Sequence, residues 1–202
     1  MKENQQGTDN PIPLARFDLY NQAIIMTKFE QNSTSSYPVS VHDVCAAFGT
    51  LPTSSGFLPR NTLFHGREGG NEFIGIYLEG GKHVVTVGET TMTIPLPPAI
   101  FIGCGKRYYI HAVKEYPKQQ RVQLYHYPTP NVDSNGHICT GNAPFPRASA
   151  KTIMPAYRLF MESRFNRHYS SEKCKSHPNN IIELWKELDG KDSFPLTELV
   201  LS

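Results

Sequence analysis

Short β-type segments separated by tight turns fill the middle of the chain and restrict its fold more than any other feature. Their β-branched and aromatic content favours strands, and short turns join antiparallel neighbours because parallel strands need a long crossover. We therefore predict an antiparallel β-meander. Its segments are Phe73–Leu78, His83–Val87, Thr90–Ile94, Ala99–Ile102, Tyr108–Val113 and Val122–Tyr127, with a turn at Glu79–Lys82 and a proline-rich break at Pro95–Pro98.

A short helix is predicted before the meander, over residues 40 to 48. Ser40 is a suitable N-cap, and Asp43 completes a capping-box-like pair. The apolar face of this helix includes Cys45, which is expected to be a small core residue. Further upstream, residues 16 to 30 predict a strand or hairpin, and the polar residues 31 to 36 predict a loop.

Two helices are predicted after the meander. Lys151–Phe165 has helical apolar spacing, and Pro155 is tolerated there only near the first turn. A last helix is predicted from Asn180 to Leu188, capped by Asn179 and stopped by Gly190. The fold class is therefore α+β, with a flexible tail over residues 1 to 13 and one domain over residues 14 to 202.

Composition excludes several classes of function. The 202 residues carry a formal net charge of +2, which gives no electrostatic footprint for nucleic acid. No apolar run is long enough for a membrane span, and the polar N-terminus has no signal-peptide core. A cytoplasmic protein with reduced cysteines is expected. The four cysteines have no Cys-x-x-Cys spacing, so neither a metal site nor another cofactor is predicted.

The eleven residues from Thr129 to Cys139 are the strongest candidate for a reactive site. Prolines end the preceding strand because they lack a backbone donor, and Asn135-Gly136 is a strong turn signal. A cysteine flanked by turns is expected to be accessible. Cys104 also lies in a turn, where Lys106 and Arg107 would favour its thiolate, whereas Cys174 in a polar loop has no predicted role.

This stretch resembles the active-site segment of ubiquitin-conjugating enzymes. Pro130-Asn131 and Asn135-Gly136-His137-Ile138-Cys139 match the family's His-Pro-Asn triplet and its Asn-Gly-x-Ile-Cys end, with eight positions from asparagine to cysteine in both. The triplet's histidine is replaced by Thr129, which questions the support of the loop more than the identity of the nucleophile. The resemblance implies the ubiquitin-conjugating-enzyme-like fold, with an antiparallel meander flanked by an N-terminal helix and C-terminal helices.

A closer resemblance is to prokaryotic family D of this superfamily, which includes PRTRC system protein B. It rests on Leu58–Phe64, Leu96–Phe101, Leu124–Pro128 and Gly136–Gly141. The resemblance implies three protein partners: a ubiquitin-like modifier, an adenylating activating enzyme and a target with an acceptor lysine. It also implies a bacterial conjugation operon, some examples of which act in antiphage defence.

The implied chemistry is acyl transfer through a cysteine thioester. Cys139 would accept the C-terminal acyl group of the modifier and pass it to an amine, because a thiolate is a strong nucleophile. Asn131 would steady the oxyanion or brace the loop. Asp133 or His137 would help to deprotonate the incoming amine, and the spacing does not choose between them. His126, near the end of a strand, is a candidate to replace the missing triplet histidine.

Two other functions remain open at this point. One is a cysteine hydrolase that pairs Cys139 with a histidine from elsewhere, such as His126 or His168. The other is a non-catalytic module that keeps the fold and binds a modifier.

Overall fold

A computed structural model describes residues 14–49, 56–68, 70–118 and 121–202. The chain divides into two compact units, Met1–Ser54 and Ser55–Ser202. The predicted tail over residues 1 to 13 lies outside the described residues. The single domain over residues 14 to 202 stays a prediction.

The first unit contains a three-stranded antiparallel sheet in the order β1-β2-β3 and one helix. The predicted hairpin is present, but the predicted loop over residues 31 to 36 is wrong. Residues 33 to 39 form a strand that pairs with the preceding strand, from Glu30↔Ser33 to Ile24↔Val39. Only Gln31 and Asn32 form the turn. The elements are β1 (Ala15–Leu19), β2 (Ile24–Glu30), β3 (Ser33–Val39) and α1 (Val41–Gly49).

The predicted N-cap of α1 at Ser40, with its capping-box-like pair to Asp43, is confirmed. The Asp43 backbone N–H donates to Ser40 Oγ at 3.0 Å, and this hydroxyl donates to the Asp43 carboxylate at 2.6 Å. The prediction that Cys45 is a core residue is wrong, because its side chain is exposed. Val41 on the same helix is 64% exposed. Apolar spacing identified this face of the helix, but spacing alone does not bury it.

The second unit is built on a five-stranded antiparallel sheet in the order β10-β9-β8-β5-β4. Its antiparallel order confirms the meander, except that the predicted segments His83–Val87 and Thr90–Ile94 lie in a separate sheet. Cross-strand pairing extends over most of β5, β8 and β9. The strands are β4 (Thr62–Glu68), β5 (Asn71–Leu78), β8 (Ala99–Cys104), β9 (Arg107–Ala112) and β10 (Tyr125–His126).

A hairpin between β5 and β8 forms a separate small sheet of β6 (Gly81–Val87) and β7 (Thr90–Leu96), to which β11 (Arg164–Phe165) adds in parallel with β6. The strand break predicted at Pro95 begins later, because Pro95 still pairs with Lys82. Since β7 is an edge strand, a residue without a backbone donor is tolerated there.

The predicted strand Val122–Tyr127 is mostly wrong, because only Tyr125 and His126 are paired with β9. The remaining free edge of β9 is occupied by another segment, through an antiparallel bridge from Tyr109 to His137. The edge of β9 is thus shared between β10 and the stretch that ends in Cys139.

The C-terminal helices are α2 (Ile153–Met161) and α3 (Ile181–Leu188). The first is shorter than predicted, because the chain leaves the helix after Met161 and forms β11. The N-cap of α3 is Asn180 rather than Asn179, since its side chain accepts the Ile182 N–H at 3.2 Å.

One hydrophobic core joins the elements of the second unit. Trp185 of α3 is fully buried and packs edge-on against Phe165. The observed α+β fold, with its meander, N-terminal helix and C-terminal helices, agrees with the predicted class. Within the described ranges, no helix is long and apolar enough to cross a membrane.

Candidate active site

The stretch that ends in Cys139 is buried at the point where it leaves the sheet. Residues 127 to 132 are all buried, although a run with two prolines cannot pair continuously with a strand. The buried indole Nε1–H of Trp185 donates to Pro128 O at 2.9 Å. Because an unpaired buried carbonyl is costly, this hydrogen bond couples α3 to the start of the loop.

Asn131 joins the two limbs of the loop through its backbone. Its N–H donates to His168 O at 2.7 Å, and its carbonyl accepts the Cys139 N–H at 2.8 Å. It has a φ of 59°, a left-handed conformation that asparagine tolerates better than most residues. The spacing of eight positions between Asn131 and Cys139 therefore spans a loop that this backbone hydrogen bond closes.

The tip of the loop is organised by Asp133. Its Oδ1 accepts the N–H groups of Asn135 at 2.8 Å and His137 at 2.9 Å. Gly136 follows with a φ of 77°, and a Cβ there would lie 2.9 Å from Ile110 O. Only glycine fits this turn without strain.

Strand β9 fixes the returning limb. The Ile110 N–H donates to Gly136 O at 2.8 Å, and the Ile138 N–H donates to Tyr108 O at 2.9 Å. Val132 and Ile138 form a bridge across the loop, and both are 0% exposed. The loop is thus a short extension of the sheet with its own apolar underside.

Cys139 is exposed, so the prediction of an accessible thiol is confirmed. In an extended segment, side chains two residues apart lie on the same side, so His137 and Cys139 share one side of the returning limb. The His137 Nδ1 lies 3.8 Å from the Asp133 carboxylate, and its ring centroid lies 5.3 Å from that of Tyr109. The four predicted site residues, Cys139, Asn131, Asp133 and His137, therefore belong to one compact loop.

Buried polar atoms without partners collect under this loop. Among the described residues they are Asn131 Oδ1, Thr129 Oγ1 and His126 Nδ1. Thr129 is 0% exposed, so the position where the resembling family has histidine is fully enclosed. His126 does lie near the loop, since it lines the same cavity as Asp133.

That cavity has a volume of about 140 Å³ and lies behind the loop tip. Lys173, which is 3% exposed, lines one wall, and its Nζ donates to Asp133 O at 3.1 Å. Burial lowers the pKa of Lys173 to about 8, although the negative charges of Asp133 and Glu172 act to raise it. The cavity is lined by His126, Val132, Asp133, Ser134, Tyr169, Ser171, Glu172 and Lys173.

Two histidines on neighbouring strands share this environment. Burial lowers the pKa of His126 on β10, and the charge of Lys173 lowers it further. The pKa of His111 on β9 is lowered by burial, then by His126 and Lys173. His111 also contacts the position of Gly136. A cluster of basic side chains therefore lies behind the loop, with Asp133 and Glu172 as its acidic neighbours.

The other cysteines differ from Cys139. Cys104 is half-buried at the end of β8, and Cys174 is 1% exposed, so it is a core residue rather than a polar-loop residue. The Cys174 thiol donates to His177 O at 3.4 Å, and burial raises its pKa. Within the described ranges, no three metal-binding side chains are grouped to hold an ion.

Two residues of the site were not found from the sequence. His111 lies in a predicted strand between buried residues, and the alternation of that strand is the signal that would have placed it on the other face. Lys173 follows Ser171-Glu172 in a polar run. That composition predicts a solvated loop, so no local signal marks this lysine as buried.

Comparisons with known proteins bear on the fold and the site together. Neither the curated proteins nor the solved structures include a match to this chain. A family model described as prokaryotic E2 family D matches residues 39–202. This range contains α1, the whole second unit and the Cys139 loop. The chain therefore belongs to prokaryotic E2 family D, a bacterial family of proteins like the ubiquitin-conjugating enzymes.

Proposed function

We propose that this protein is a carrier and conjugating enzyme for a ubiquitin-like protein, with Cys139 as the thioester-forming nucleophile. One observation carries the proposal: an exposed thiol stands at the end of a loop whose first limb is buried and whose two limbs are hydrogen-bonded to each other and to β9. A cysteine needed only for packing would be buried, as Cys174 is. Membership of an E2-like family supports the same class of activity.

In the first step the Cys139 thiolate attacks the carbonyl carbon of the thioester between the modifier and its activating enzyme. A new C–S bond forms, the activating enzyme's thiolate leaves, and the proton lost by Cys139 is returned to that leaving thiol. The step exchanges one thioester for another. It therefore requires position and access more than a large change in energy.

In the second step a lysine amine of the target attacks the carrier thioester. The C–N bond forms, the Cys139 thiolate leaves, and the amine must lose a proton. We assign this proton to His137 rather than Asp133. Asp133 Oδ1 already accepts two backbone N–H groups, whereas His137 is half-buried and two residues from Cys139 on the same side of the limb.

We assign two roles to Asn131: its main role is to brace the loop, and its second role is to stabilise the oxyanion. Its backbone holds both limbs, and its Oδ1 is buried, so the amide N–H₂ is the end left to face the reaction. Removing an oxyanion donor in other acyl-transfer enzymes costs about 100- to 1000-fold in rate. We expect Asn131→Ala to lose both this donor and part of the loop's order.

The setting is part of the proposal. The partners are a ubiquitin-like modifier, an adenylating activating enzyme and a protein target with an acceptor lysine. They are expected in one bacterial conjugation operon, with antiphage defence as its cellular role. A cytoplasmic location is also proposed, because a thiol nucleophile must stay reduced.

The deciding experiment combines the purified protein with its cognate activating enzyme, modifier and ATP. The expected product is a covalent adduct that a thiol reductant removes. Cys139→Ala should abolish the adduct, and Cys139→Ser should give a more persistent oxyester. Cys45→Ala is the matched control, because Cys45 is also exposed. An adduct that survives Cys139→Ala would refute the assignment of the nucleophile.

The same mixtures separate the other two functions. A cysteine hydrolase would turn over a peptide or ester without ATP or an activating enzyme. A non-catalytic binding module would bind the modifier equally well after Cys139→Ala and form no adduct with partners of verified activity. Either result would replace the proposed function.

A further inference from the structure

Lys173 is a buried lysine that has no role in the two reaction steps proposed above. It is 3% exposed, although taking an ammonium group out of water is costly. Within the described part of the chain, its hydrogen bond goes to the carbonyl of Asp133 rather than to a carboxylate. That carbonyl also accepts the Gly136 N–H at 3.1 Å. Lys173 is therefore not needed merely to satisfy a buried acceptor.

The bond from Lys173 reaches the residue that organises the loop tip. Asp133 accepts two N–H groups through its carboxylate and donates its own N–H to His137 O at 2.9 Å. Two of these three bonds go to His137, which is two residues before the nucleophile. A shift of Asp133 would thus move the limb that presents Cys139.

A second anchor comes from the same segment, residues 168 to 174, which we name the clamp segment. His168 O accepts the Asn131 N–H at 2.7 Å. The clamp segment therefore contacts the loop at Asn131 through His168 and at Asp133 through Lys173. The segment is itself fixed, because Ser170 O accepts the N–H of Ile181 at 2.8 Å at the start of α3. The clamp segment therefore links the loop to α3, which is part of the core.

We propose that Lys173 is a positioning residue, which holds Asp133 so that the returning limb presents Cys139 for thioester exchange. This inference rests on the proposed function. Lys173 is too buried to touch a partner protein, so its removal should act on the chemical step and not on partner binding.

The test compares Lys173→Met with Lys175→Met, a matched control because Lys175 is an exposed lysine in the same polar run. We expect Lys173→Met to lower kcat for thioester formation roughly tenfold, since small misplacements of a nucleophile can cost up to about 100-fold. The KM for the modifier-loaded activating enzyme should not change. Lys175→Met should match the unaltered protein in both constants.

Amide hydrogen exchange gives a readout that needs no partner. The N–H groups of Asn135 and His137 should exchange about tenfold faster in Lys173→Met, while the core amides keep their protection. Lys173→Arg, which keeps donors and charge, should restore much of kcat. It also serves as the folded variant if the methionine protein fails to fold.

The outcomes separate the two proposals. If the unaltered protein forms no thioester with active partners, the proposed function fails, whatever the exchange data show. If thioester forms but kcat and loop exchange in Lys173→Met equal those of Lys175→Met, the positioning role alone is overturned. A rise in KM with kcat unchanged would also overturn it.

Discussion

Replacing Lys173 by methionine should make the protein more stable at neutral pH while it slows the reaction. The reason is the burial of a charge: the pKa of Lys173 lies near 8 instead of its usual 10.5 because the ammonium loses its water. Methionine has a similar unbranched length and no charge, so it suits an enclosed site. Replacing buried charges by apolar residues is often neutral or stabilising.

The magnitude follows from the pKa. A fall from 10.5 to about 8, at about 1.36 kcal/mol per pKa unit, is a penalty of roughly 3 kcal/mol for the charged form. The lost hydrogen bond to Asp133 O offsets about 1 kcal/mol. We expect Lys173→Met to raise the free energy of unfolding at pH 7 by about 1 to 3 kcal/mol.

The pH dependence has a definite sign. Above about pH 8 the unfolded chain holds the Lys173 proton more tightly than the folded chain does, so stability rises with pH. The penalty is complete below pH 8 and disappears as the pH approaches 10.5. The advantage of Lys173→Met should therefore shrink over this window. Nearby His126, His111, Asp133 and Glu172 are present in both proteins, so their direct contributions largely cancel in the difference.

Urea unfolding at pH 7, 8, 9 and 10, followed by circular dichroism, measures this difference for the two proteins. The reasoning is refuted if Lys173→Met is less stable than the unaltered protein at pH 7, or if the difference does not change up to pH 10. If Lys173→Met is the less stable protein, Lys173 stabilises the fold, and there is no reason to expect a separate effect on kcat.

Four further substitutions, at three positions, test the support of the loop, each by urea unfolding. Gly136→Ala should cost about 2 to 4 kcal/mol, because its φ of 77° and the nearby Ile110 carbonyl exclude a Cβ. Thr129→Val should be neutral or stabilising by up to about 1 kcal/mol, since the hydroxyl has no partner, whereas Thr129→His should cost about 1 to 3 kcal/mol by overpacking. Trp185→Phe should cost about 1 to 3 kcal/mol by leaving Pro128 O unpaired; a loss below 0.5 kcal/mol would contradict this account.

Local signals in the sequence predicted much of the fold. The meander, the cap at Ser40 and the C-terminal helices each follow from interactions within a few residues or from a strong apolar period. The same reasoning failed where long-range pairing decides. Strand β10 begins only at Tyr125 because β9 ends at the facing Ala112, and it stops at His126 because the Cys139 loop occupies the next part of the edge of β9. Such limits depend on distant segments and leave no mark in the strand's own residues.

The candidate site was predictable to a similar extent. The turn signals around Cys139 predicted its exposure, which the structure confirms, and the motif brought Asn131, Asp133 and His137 together. The buried state of Lys173 was not predictable, because it depends on a contact across forty residues. The roles of the four predicted residues and the resemblance to PRTRC system protein B stay predictions.

The contacts of the loop explain how threonine can occupy the position where the resembling enzymes carry histidine. Thr129 makes no side-chain hydrogen bond to the residues that the structure describes, yet the loop is held by the backbone of β9, by His168 and by the indole of Trp185. These supports come from the sheet edge and from the C-terminal elements. The departure at Thr129 therefore weakens the match to the motif without removing the architecture that a nucleophilic Cys139 would require, and the C-terminal region becomes part of the framework of the candidate site.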